Sequence, residues 1–257
     1  MVRYSGILFL ILLYLPPVYG QQIIVKDELI RFGFGVSSMA NDNFNDLIDI
    51  VEDASALIGP EIPMTRFNDH ITFFLDYENE LGDDFSYLLR FQYHSDITSG
   101  SNYDADQKIE QGMNYEFQLF EAGIDLVYYI PFITIGNTQT RFMFAAGPDL
   151  SYVEIESYYF FDQRPVYLQV LEMRRNNMIF GARFFIGVDI PFVESFNLQL
   201  RAGYNFRAEK TIPGEVDEIV YDDSGKENSM MDPLIFEDNN KYDFSQYWVT
   251  FAFAYRF

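Results

Sequence analysis

The 257-residue chain contains no cysteine. That excludes disulfides, thiolate catalysis, cysteine-ligated zinc and a lipid-modified cysteine anchor together. Histidine is nearly absent too, with only His70 and His94 to build a metal or acid–base site from. Basic residues are scarce: 17 Lys and Arg stand against 39 Asp and Glu, a net charge of -22. A surplus of this sign argues against nucleic acid as a partner and against direct attraction to an anionic membrane surface. Long apolar runs are missing as well. The one candidate, 7–15, is too short for a helix rising about 1.5 Å per residue to cross about 30 Å of hydrocarbon. It follows Arg3 and precedes Pro16, Pro17, Val18, Tyr19 and Gly20. Val18 and Gly20 suit the positions three and one before a signal-peptidase cut, so 1–20 reads as a signal peptide and 21–257 as one mature domain.

Aromatic residues are abundant, with 27 Phe and 19 Tyr, and they recur at alternate positions. In 247–257, Tyr247, Val249, Phe251, Phe253, Tyr255 and Phe257 share one face of a strand, and Trp248, Thr250, Ala252, Ala254 and Arg256 share the other. At a chain end such a strand is an aggregation-prone edge unless it is paired, and closing the sheet into a barrel removes the edge. Here the chain resembles the bacterial outer-membrane β-barrel proteins, whose last strand alternates in this way and usually ends in Phe. The resemblance spans 21–257 and points to the small eight-stranded OmpA-like and OmpX-like barrels. It implies that Tyr247, Val249, Phe251, Phe253, Tyr255 and Phe257 form the signal read by the barrel-insertion machinery. Deleting Phe257 is therefore expected to lower the yield of heat-modifiable, membrane-embedded barrel; unchanged yield would count against the resemblance.

Read in order, alternation predicts strands at about 30–37, 70–79, 85–94, 113–130, 141–152, 178–190, 198–207 and 247–257. Between the first two, Phe44, Leu47, Ile48, Val51, Ser55 and Ile58 recur at helical spacing with acids between them, predicting a short amphipathic helix ended by Gly59 and Pro60. In 113–130 the apolar set Tyr115, Phe117 and Leu119 is followed out of phase by Ala122, Ile124, Leu126, Tyr128 and Ile130. A β-bulge near Phe120 and Glu121 would account for the slip, and Pro148, which has no N–H to donate, suggests another. The stretches 96–112, 156–175 and 208–244 read as long loops, whereas 80–84, 131–139 and 191–195 read as short turns. Long connections thus alternate with short ones, as in an all-β, eight-stranded antiparallel transmembrane up-and-down barrel with both termini on the short-turn, periplasmic side. Tyr77, Tyr87, Tyr128, Phe192 and Tyr255 near the turns and Tyr93, Tyr115, Tyr152, Tyr204 and Tyr247 near the loops suggest two interfacial bands. The alternative is a secreted, lipocalin-like soluble barrel with its apolar faces inward, which carbonate extraction of membranes would release.

For the barrel, alternation sends Arg31, Arg90, Arg141, Arg183, Arg201, Arg207 and Arg256 inward together with Asp76, Glu78, Glu116, Asp125, Asp149 and Asp189. Eight strands enclose room only for side chains or one small ligand, so these charges should pair and plug the lumen. Asp76 and Arg90 lie at nearly mirrored distances from the Gly82 turn, which makes them expected cross-strand partners. His70 and His94 suit a metal site or the base of a membrane-embedded acyltransferase or lipase, yet the pattern sets no third ligand and no serine beside them. No catalytic residue, metal site or cofactor is expected. Asp104, Asp106, Glu215, Asp217, Glu218, Asp222 and Asp223 offer hard oxygen ligands without calcium-loop spacing, which suggests loosely held divalent cations at acidic loops. The reading that results is an integral outer-membrane barrel with a structural or interaction role through those loops, its partners being outer-membrane lipid and the insertion machinery. Its alternatives are passage of a small apolar molecule and a barrel subunit of a secretion or envelope machine.

Overall fold

The computed structural model describes residues 28–39, 48–49, 52–53, 56, 60–64, 69–82, 84–135, 138–163, 167–193, 195–221, 227–229, 234–236 and 241–257. Eleven strands are present among them: β1 (Glu28–Met39), β2 (Asp69–Glu80), β3 (Phe85–Asp104), β4 (Ile109–Ile135), β5 (Thr138–Gln163), β6 (Tyr167–Val193), β7 (Phe196–Arg207), β8 (Gly214–Tyr221), β9 (Glu227–Ser229), β10 (Leu234–Phe236) and β11 (Gln246–Arg256). Antiparallel pairing runs from β1 through β7 in order, and β11 joins β7 to β1, which closes an eight-stranded ring. The short strands β8, β9 and β10 extend the sheet from the first half of β6. The signal peptide expected at 1–20 lies outside the described residues. So does most of the expected helix; Ile48, Asp49, Glu52, Asp53 and Ala56 of it are described and have helical backbone.

The polarity of the wall is the reverse of a soluble barrel's. On β1, Phe32 is 61% exposed while Arg31 is fully buried. The same alternation holds round the ring, with Phe73, Leu126, Phe184, Leu200 and Val249 outward and Asp76, Asp125, Arg183, Arg201 and Thr250 inward. Only a hydrocarbon surround makes this arrangement stable, because the hydrophobic term favours removing such faces from water. The lipocalin-like alternative is thereby overturned. The inward glycines give room for bulky neighbours: a Cβ at Gly33 would collide with the Phe74 ring, and one at Gly203 with the Trp248 ring.

Two expected bulges are absent. The β3–β4 register runs without a shift from Phe85 opposite Tyr128 to Asp104 opposite Ile109. The β5–β6 register passes Pro148 opposite Ala182 in phase. Shifts occur instead near the short turns, between Pro131 and Ile133 and between Pro191 and Val193. The apolar pattern of β4 changes phase for another reason: the strand leaves the membrane. From Ala122 to Ile130 its outward residues meet lipid, while Leu119, Phe117, Tyr115 and Met113 point inward into a buried apolar cluster and Gln118, Glu116 and Asn114 face out. Tyr115 is accordingly a core residue and not part of an interfacial band.

For the same reason 96–112 and 156–175 are not loops. β3 and β4 continue as a ladder to a tight turn at 105–108, where Asp104 accepts hydrogen bonds from the backbone N–H groups of Asp106 and Gln107 and Lys108 has a positive φ of 55°. β5 and β6 pair as far as Gln163 opposite Tyr167. At 26 and 27 residues they greatly exceed the roughly 9–11 residues a tilted strand needs to cross a bilayer. A curved wall of β3, β4, β5 and β6 therefore stands beyond the membrane at the end opposite the short turns. The chain end is at the short-turn side, where the Phe257 N–H donates to the Glu28 carbonyl.

Candidate functional site

The lumen has three levels, and each is set by the strand register. Nearest the short turns, Arg31 pairs with Glu78 and donates to Tyr129, whose hydroxyl donates to Glu78 at 2.6 Å. Arg141 bridges Asp189 at 2.8 Å and Glu80 at 3.2 Å, and its guanidinium lies 4.0 Å from the centre of the Tyr129 ring. Arg256 is 3.4 Å from Glu80 and partly open to the mouth.

At the middle level the Asp76 carboxylate is shared by two arginines. Arg90 donates to it from Nε at 2.9 Å, directly across β2 and β3, and Arg201 donates from the far wall at 2.5 Å. Both guanidiniums stack on aromatic faces: Arg90 lies 4.8 Å from Phe185, 5.1 Å from Trp248 and 5.3 Å from Phe74, and Arg201 shares Phe74 and Phe185. Such contacts help to replace the water that a buried cation has lost. Arg183 pairs with Asp125 at 2.8 Å.

The upper level centres on Glu121, which the sequence reading did not place in the lumen. It pairs with Arg207, accepts from Asn205 and Gln246 at 3.1 Å each, and lies 3.3 Å from His94 Nε2. Arg207 also reaches Asp149 at 3.4 Å and Ser151 at 3.0 Å. His94 Nδ1 is 2.9 Å from the Ser37 hydroxyl and 2.5 Å from that of Thr72. A serine does therefore stand beside His94, contrary to the sequence reading. His70 Nδ1 is 3.3 Å from Asp96.

Glu116 is the expected lumen residue that the structure sends elsewhere. It is on the outward face of β4, opposite Glu156, and accepts a hydrogen bond from Gln118 at 2.6 Å. The assumed bulge had reversed its side. With Glu121 and Glu80 in place of Glu116, the lumen holds Arg31, Arg90, Arg141, Arg183, Arg201, Arg207 and Arg256 against Asp76, Glu78, Glu80, Glu121, Asp125, Asp149 and Asp189, equal numbers of each sign. Unbroken parity along β4 from Tyr129 through Asp125 to Glu121 was the signal that could have found Glu121.

Above Glu121 an apolar cap closes the barrel. Ile62 and Met64 from the segment after β1, and Ile212, Tyr242 and Phe244 from the segments between β7 and β11, pack on Phe117, Leu119, Val153 and Ile155. Phe244 stacks on Phe117 with centroids 6.5 Å apart. The outward face of the wall at this height is acidic. Partial burial, then the nearby Glu156, raises the Glu154 carboxyl above its ordinary range. Among the described residues no group of three or more His, Asp and Glu is placed to hold a metal ion.

No protein-family model matches the chain, and no curated protein sequence does. Among solved structures it is similar to Ail, the attachment invasion locus protein of Yersinia pestis, at 10% identity over 90% of this chain and 98% of that one, TM-score 0.42. It is also similar to a major outer membrane protein from Thermus thermophilus, at 11% identity over 90% and 98%, TM-score 0.45. A third is Neisserial surface protein A, at 9% identity over 90% and 97%, TM-score 0.40. The class follows from the ring itself: a closed eight-stranded antiparallel barrel with a lipid-facing apolar belt and a charged interior is an outer-membrane β-barrel.

Proposed function

We propose that the protein is a non-conducting outer-membrane barrel that anchors a rigid β-wall outside the cell for contact with surfaces or partner molecules. The observation that carries this reading is the continuity of β3, β4, β5 and β6. The strands that cross the membrane rise beyond it with a polar outward face, including Asn114, Glu116, Gln118, Glu154, Glu156 and Glu172, and an inward face sealed by the cap. Short turns and the chain end would then lie in the periplasm, and the acidic wall would attract divalent cations loosely. Ser37, His94 and Glu121 have the order of a nucleophile, base and acid, but all three are buried and both imidazole nitrogens are engaged. We read them as part of the plug and not as a catalytic centre.

The plug makes the first test electrical. Purified protein in planar bilayers should show no large stable conductance, because seven-against-seven pairing fills the belt and the cap closes the outer end. Steady porin-sized channels from the unmutated protein would overturn the reading and favour transport.

A further inference from the structure

The lipid-facing wall is notched over β4. Ala122 on β4 is flanked in register by Phe91 on β3 and Leu150 on β5, so a small side chain stands between two large ones. Above it the Tyr93 and Phe120 rings are in contact, with centroids 4.7 Å apart, while Phe120 and Tyr152 are 6.5 Å apart. These residues line an apolar notch of about 450 Å3, within the volume range of about 300–1,000 Å3 that small-molecule sites occupy.

We infer that this notch retains one acyl chain of an outer-leaflet lipid. Its depth selects the environment: it is directly beneath Tyr93 and Tyr152, whose rings suit the membrane–water boundary, so what enters it is hydrocarbon and not water. Its width selects the occupant. Neighbouring strands lie about 4.8 Å apart, which leaves the backbones carrying Phe91 and Leu150 only about 10 Å apart before their side chains are counted. A helix about 10–12 Å across cannot enter, and the convex wall of a second barrel cannot reach the floor. A single flexible chain fits and is touched by Ala122 beneath it and by Phe91 and Leu150 on either side. Dispersion contacts left unmade by an empty notch are thereby recovered. The Tyr93 and Tyr152 hydroxyls are then placed at headgroup height.

The test uses the full barrel refolded in phosphatidylcholine vesicles in which one acyl chain carries a mid-chain diazirine. Irradiation should label Phe91, Ala122 and Leu150 about tenfold more than Val36 and Val249, which pair with each other just below Tyr247 at matching depth; tenfold is the ratio that about 1.4 kcal/mol of extra contact produces. Ala122→Phe should bring labelling at Phe91 and Leu150 down to the level of that other wall, and Ala202→Phe should leave it unchanged. Both variants exchange one lipid-facing apolar group for another, and heat-modifiable migration checks that they fold; Ala122→Leu gives the same comparison if Ala122→Phe does not. Even labelling round the belt would overturn the inference. So would an Ala122→Phe without effect, labelling by free photoreactive fatty acid but not by phospholipid, or protomers cross-linked through the notch.

Discussion

Replacing Asp76 by alanine should destabilise the barrel by about 3–5 kcal/mol, more than replacing either arginine that it binds. The asymmetry follows from the sharing of one carboxylate. Without Asp76, Arg90 and Arg201 are both left as buried cations, and each shares Phe74 and Phe185 with the other, so their mutual repulsion is no longer offset. Without Arg90, Asp76 keeps Arg201, and the damage is one lost ion pair together with the packing of one guanidinium on Phe185 and Trp248. Asp76→Asn retains acceptor geometry but not charge and should fall between the two. Urea titrations of the three variants in the same liposomes check the order. An Arg90→Ala loss equal to or larger than that of Asp76→Ala would mean that Arg201 does not hold Asp76 in the membrane.

Much of this arrangement is legible in the sequence because a membrane barrel is written in one rule, outward apolar and inward polar at every second residue. On β11 the rule holds from Tyr247 to Arg256, and on β1 it separates Phe32 and Phe34 from Arg31 and Ser37. Asp76 opposite Arg90 also follows from counting back to the turn. The rule fails where its physical premise ends. Beyond Phe120 the surround is water, so the apolar side of β4 becomes the inner one, and a reader who assumes lipid throughout must invent a bulge to keep the phase. The outward residues past that point, Gln118, Glu116 and Asn114, are polar on one parity, which is the mark of a strand entering water. A bulge would have moved apolar residues to the other side within lipid. The same premise turned the upper half of β3 into an apparent loop: Ser99, Gly100, Ser101 and Asn102 have little apolar content because one face is in water and Gly100 is closely approached by Pro63.

Cross-wall partners were the least legible part. Arg201 to Asp76 and Arg207 to Glu121 join strands that the closure of the ring brings together, and Arg183 reaches Asp125 across the intervening β5, where Gly147 has no side chain in the way. Strand register defines which side chains point inward; which of them meet depends on how far each reaches over glycines such as Gly33 and Gly203. The upper network is the clearest case, since Ser37, Thr72, His94, Glu121, Asn205, Arg207 and Gln246 come from six different strands.

A charge on the lipid face should be tolerated far less than a small change on the lumen face of the same strand. Phe251 lies midway along β11 between Tyr247 and Tyr255, pairs with Phe34 and Leu200 across its neighbours, and packs edge-on to Phe253 at 5.1 Å. Phe251→Arg brings a guanidinium to the middle of the hydrocarbon belt, where a lipid-facing Arg costs about 2–4 kcal/mol, and it removes the ring contacts with Phe34 and Phe253 as well. Arginines are abundant on the other face, since Arg201 stands opposite Thr250. The penalty therefore belongs to the side of the wall and not to the residue type. Thr250→Ser, one position away and fully inside, should be nearly silent. Unfolding titrations in liposomes of matched composition measure both. The expected result is a loss of about 2–4 kcal/mol for Phe251→Arg beside a change too small to resolve for Thr250→Ser, and equal losses at the two positions would mean that lumen and lipid faces have been exchanged.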